Sequence, residues 1–104
     1  MSYWIYLLLA GIFEIGWPLG LRLASISNYK YLGFFFSFIT ITISGLLLWV
    51  SLKEIPIGVA YAVWTGIGTV GTFVIGVVFF NDPSSILKWL GVVAIVSGIV
   101  LLKI

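Results

Sequence analysis

The sequence predicts an all-α membrane protein with four transmembrane helices per subunit. Two observations carry this reading. Of its 104 residues, 62% are hydrophobic and only 8% are charged, too little polar surface to cover a water-soluble domain. The apolar residues also fall into runs close to the ~20 residues that a helix needs to cross ~30 Å of hydrocarbon. Lipid offers no partner to backbone N–H and C=O groups, so each run must satisfy its own groups as a helix.

The first helix is expected over about 3–22. Arg22 to Lys30, with Ser25, Ser27 and Asn28 between, reads as a loop. The second helix follows over about 31–51, and Lys53-Glu54-Ile55-Pro56-Ile57-Gly58 is a turn punctuated by Pro and Gly. The third is expected over about 58–80. Asn81-Asp82-Pro83-Ser84-Ser85 is the next turn, with Ser84 or Ser85 placed to cap a fourth helix over about 86–103. Residues 1–104 thus read as one four-helix transmembrane domain, with no soluble domain left over. A signal-peptide reading of the start fails, because there is no positive n-region and Glu14 interrupts the apolar run.

The composition narrows the chemistry. There are no cysteines and no histidines, which removes thiolate metal sites and the commonest metal ligand and general base. No metal, cofactor or enzymatic centre is expected. The net charge of +2 comes from Arg22, Lys30, Lys53, Lys88 and Lys103 against Glu14, Glu54 and Asp82. All but Glu14 lie at or near the ends of apolar runs. This is a scatter of loop and interface charges, and it excludes a nucleic-acid partner.

Glu14 lies in the middle of the first apolar run. A carboxylate at membrane depth costs several kcal/mol unless it is protonated, paired or wetted. Its natural uses are to bind a cation, to bind a proton, or to exchange one for the other. Trp17, three residues on, shares its helix face and can offer an indole N–H to the carboxylate. Ser37, Thr40, Ser44 and Ser51 form a hydroxyl stripe on the second helix. Ser44, at mid-depth, is the candidate to touch Glu14; back-bonding to its own helix is the alternative.

In the third run, Tyr61 and Trp64 share a face, and beside a carboxylate they would form part of an aromatic box for a cation. Tyr61 also suits an interfacial belt. Gly66-x-Gly68-x-x-Gly71 matches a dinucleotide fingerprint, but it lies within a membrane span with no strand before it. Gly66 and Gly68 are better read as sites of close helix packing or a kink. Gly91, Ala94, Ser97 and Gly98 make a small-residue stripe on the fourth helix, suited to dimerisation.

The topology is almost neutral. With a cytoplasmic N-terminus, Lys53 and Lys103 lie inside, and Arg22, Lys30 and Lys88 lie outside. The positive-inside rule has little to act on, so either another feature fixes the orientation or both orientations are made. Four such helices cannot enclose a substrate path alone. An antiparallel pair would reproduce by dimerisation the inverted repeats of larger transporters.

Together these residues resemble the small multidrug resistance transporters over essentially the full chain. The resemblance rests on four short helices, Glu14 in the first, and Pro56-Ile-Gly58-x-Ala60-Tyr61-Ala-x-Trp64 entering the third. Glu14-x-x-Trp17 and Trp64-Thr65-Gly66-Ile67-Gly68 look most like the guanidinium-exporter subtype. The drug-exporting subtype usually has Gly in place of Trp17 and Ser in place of Thr65. The resemblance implies an antiparallel dual-topology homodimer in the bacterial inner membrane. It implies proton-coupled export of guanidinium-type cations on Glu14, with Trp17 and Ser44 as its hydrogen-bond partners. Tyr61 and Trp64 would line the site, and Gly91 and Gly98 would fall at the dimer contact. Pro18 departs from the family pattern, since it frees the Glu14 carbonyl and can kink the helix; Arg22 stands where Lys is usual. The alternatives are a promiscuous exporter of quaternary ammonium or aromatic cations, or one half of a heteromeric pair.

Overall fold

The computed structural model describes residues 2–26 and 28–104. Four helices follow one another: α1 (Tyr3–Ile26), α2 (Lys30–Ser51), α3 (Ile57–Phe79) and α4 (Ile86–Lys103). All four are long and apolar enough to cross a membrane. They run alternately up and down, so the start of α1, the end of α4 and the 52–56 turn share one side. Lys103 Nζ accordingly lies 4.9 Å from the centre of the Trp4 ring. Arg22 and the 81–85 turn lie on the opposite side, where the Arg22 guanidinium approaches Asp82 at 3.7 Å.

The packing of α2 is inverted relative to a water-soluble bundle. The residues that α2 buries are small or hydroxylated: Gly33, Ser37, Thr40, Ser44 and Ser51. Its phenylalanines Phe34, Phe35, Phe36 and Phe38 face outward. In lipid there is no hydrophobic gain in hiding them, whereas small residues let backbones approach. Gly20 and Gly33 show that approach, since a β-carbon at 33 would stand 2.6 Å from the Gly20 carbonyl oxygen. Ser37 Oγ then donates to the Trp17 carbonyl at 2.7 Å, and Ser44 Oγ to the Ala10 carbonyl at 2.6 Å. These contacts fix the α1–α2 register. A small apolar core of Leu7, Ile55, Ala60 and Val63 closes the end of the bundle at the α2–α3 turn.

The first helix continues one turn beyond the expected end. Leu23 to Ile26 are helical because Ala24 packs against Gly33, holding the chain on the α2 surface. Ser27, assigned to the same loop, lies outside the described residues. In the α3–α4 turn, Asn81 takes a left-handed φ of 56°, a conformation that Asn tolerates better than most residues. Ser85 Oγ caps α4 by accepting from Lys88 N at 3.3 Å.

The fourth helix has no buried residue. It touches the bundle chiefly through α3, where Gly66 sits against Ile99 and Phe73 meets Trp89 edge to face at 5.1 Å. The bundle is only 19 Å across in its thinnest direction, about two helix diameters.

Candidate functional site

The site is built on one helical turn of α1. Residues three apart share a face, and Trp17 Nε1 donates to Glu14 Oε1 at 2.6 Å. This is a short hydrogen bond, of the kind that a charge on the acceptor strengthens. The other carboxylate oxygen, Oε2, is buried and has no hydrogen-bond partner. Gly68 of α3 leaves room for the side chain, since a β-carbon there would collide with Glu14 Cγ. Gly66, two positions earlier, faces α4 instead. The two glycines are thus packing positions on different sides of an α3 helix that runs unbroken from Ile57 to Phe79.

A cavity of about 320 Å³ opens beside the carboxylate, lined by Glu14, Trp17 and Pro18 of α1 and by Thr69, Thr72 and Phe73 among others of α3. Pro18 lies inside α1, which remains helical through it to Ile26. The ring thereby becomes part of the cavity wall. A smaller cavity of about 130 Å³ shares Pro18 and Thr72 with the first and is bordered by Arg22 and Asp82. The carboxylate is therefore flanked by space towards the charged end of the bundle.

Ser44 does not reach Glu14. It is fully buried, donates to the Ala10 carbonyl and accepts from Trp64 Nε1 at 2.8 Å. The reason is the α1–α2 register. With Gly20 against Gly33, Trp17 against Ser37 and Ala10 against Ser44, the α2 residue level with Glu14 is Thr40. Thr40 packs on Gly16, and its hydroxyl returns to its own helix at the Phe36 and Ser37 carbonyls. Ser44 instead ties α1, α2 and α3 together one turn away from the carboxylate.

Tyr61 and Trp64 are neighbours, with ring centres 5.6 Å apart, but neither borders the Glu14 cavity. Trp64 is turned towards Ser44, and Tyr61 is 57% exposed. The expected aromatic box beside the carboxylate does not form, because Trp64 is held by Ser44 and Tyr61 faces outward. Gly91 and Gly98 have nothing of their own chain within 4 Å of the space where a β-carbon would stand.

Reading the sequence missed the α3 wall. Thr65, Thr69 and Thr72 lie four and three residues apart and so share one face, the same signal that marked the hydroxyl stripe on α2. Among the described residues no cluster of acidic, His or Cys side chains could hold a metal ion.

A family model described as Small Multidrug Resistance protein matches residues 2–95. The chain belongs to the small multidrug resistance family. This is a family of proton-coupled membrane transporters that export small cations and drugs. A small multidrug resistance protein with this carboxylate and this cavity is a multi-pass membrane protein, and its four apolar helices agree with that placement.

Proposed function

We propose that this protein is a proton-coupled antiporter that exports guanidinium or small guanidinyl cations across the bacterial inner membrane by alternating access. One observation carries the reading. Glu14 is a carboxylate at membrane depth, with one oxygen held by Trp17 and the other unpartnered beside a cavity. A guanidinium is planar, and its N–H donors suit a carboxylate that is already oriented. A proton needs the same oxygen atoms. Loading one excludes the other, and that exclusion couples the two fluxes. A quaternary ammonium has no N–H to offer, so the Trp17-oriented carboxylate gives it charge alone.

The working unit in this reading is an antiparallel dual-topology homodimer. A subunit 19 Å thick has its carboxylate cavity open at one side. The unburied α4, with its Gly91 and Gly98 stripe, supplies a surface for close helix contact. Two Glu14 side chains then face one cavity, and the exposed Tyr61 becomes available to it together with Trp64.

The deciding measurement uses purified protein in liposomes. Guanidinium is expected to drive proton movement, and tetraalkylammonium to drive less. A preference for tetraalkylammonium would assign the protein to the multidrug subtype. No proton movement with either cation would leave it as half of a heteromeric pair.

Orientation is testable separately. The chain has no cysteine, so Ser84→Cys in the α3–α4 turn provides a single label site. About half of the protein is expected to react with an impermeant maleimide from outside the cell. Labelling from one face only would remove the antiparallel model.

A further inference from the structure

We infer that Thr72 is the second polar contact for the transported cation and that it selects for cations carrying N–H donors. The inference rests on the guanidinium reading above and extends it to a residue of α3.

Among the described residues, two buried side-chain polar atoms lack a hydrogen-bond partner: Glu14 Oε2 and Thr72 Oγ1. Both residues line the same cavity. Buried polar groups are almost always paired, so each exception calls for a reason. A hydroxyl in a membrane helix has an easy partner in the carbonyl one turn back. Thr65 and Thr69, on the same face of α3, take it, donating to the Tyr61 and Thr65 carbonyls at 2.8 and 2.7 Å. Thr72 does not.

The two unpartnered atoms complement one kind of ligand. A planar cation with several N–H groups can donate to the carboxylate oxygen from one edge and to the hydroxyl oxygen from another. The cavity of about 320 Å³ is far larger than the ~30 Å³ that one water occupies, so a small cation fits with its hydration partly removed. A tetraalkylammonium gains nothing from Thr72, because it has no N–H to give. Thr72 also borders the smaller cavity beside Arg22 and Asp82.

The test compares wild type, Thr72→Val and Thr72→Ser in liposomes, reading the half-saturating concentration of guanidinium and of tetramethylammonium for proton movement. Valine matches the shape of threonine and removes the hydroxyl; serine keeps it. Thr72→Val is expected to raise the guanidinium value about tenfold, the scale of one lost hydrogen bond to a charged group. Its tetramethylammonium value and thermal unfolding in detergent are expected to stay as in wild type, and Thr72→Ser to retain guanidinium handling. A guanidinium value unchanged in Thr72→Val would overturn the inference and leave the guanidinium reading standing. So would a loss shared by both cations or by Thr72→Ser, since either marks a packing role. A wild type that ignores guanidinium would overturn the reading itself, and the inference with it.

Discussion

Glu14→Gln is expected to abolish guanidinium-driven proton movement while leaving the bundle folded. The amide has the shape of the carboxyl, and its carbonyl oxygen can still accept the Trp17 indole N–H. What it loses is the charge. Two unit charges 4 Å apart attract by about 4 kcal/mol at an effective dielectric constant near 20, which is about a thousandfold in affinity. No other acidic side chain lines the cavity to compensate. The amide cannot take up and release a proton in the working range either, so both halves of the exchange fail together. Proton movement in liposomes reads the coupling, and thermal unfolding in detergent reads the fold. Uphill guanidinium transport by the mutant would mean that another group carries the exchange.

The helices were legible because lipid imposes one rule on every span: apolar side chains outside and backbone bonds inside. Length and composition therefore located α1 to α4 with few other clues. The end of α1 was not legible, because Leu23–Ile26 stay helical through the contact of Ala24 with Gly33, a tertiary effect. The same division runs through the site. Trp17 could be paired with Glu14 from sequence because both lie on one turn of one helix. Ser44 could not be placed, since its level relative to Glu14 depends on where α1 and α2 approach most closely. That point is set by Gly20 and Gly33, and nothing in the spacing along α2 alone reveals it. Gly66 and Gly68 illustrate the reverse case. Two positions apart on a helix of 3.6 residues per turn, they must face different neighbours, and they do. Thr72 escaped notice for a chemical reason. A hydroxyl in an apolar helix is read by default as bonded to its own backbone, and only the surroundings reveal the one that is not.

Trp17→Phe and Trp17→Gly are expected to weaken guanidinium transport by different routes. In the intact site the indole N–H holds Oε1 at 2.6 Å and leaves Oε2 turned to the cavity. Phenylalanine keeps an aromatic wall but cannot donate. Losing a hydrogen bond to a charged group costs roughly 1.5–3 kcal/mol, so the half-saturating guanidinium concentration should rise about tenfold to a hundredfold. Glycine removes the same bond and also the wall, enlarging the space between Pro18 and Phe73. Guanidinium should suffer at least as much in Trp17→Gly, while bulkier aromatic or tetraalkylammonium cations should gain entry. The pair of substitutions therefore separates orientation from exclusion. A guanidinium loss common to both, with a gain for large cations confined to Trp17→Gly, is the expected pattern. Unchanged guanidinium transport in Trp17→Phe would defeat the orienting role of the indole N–H. A wild type that already prefers the larger cations would show that the Trp17 wall does not exclude them, and would move the protein to the multidrug subtype.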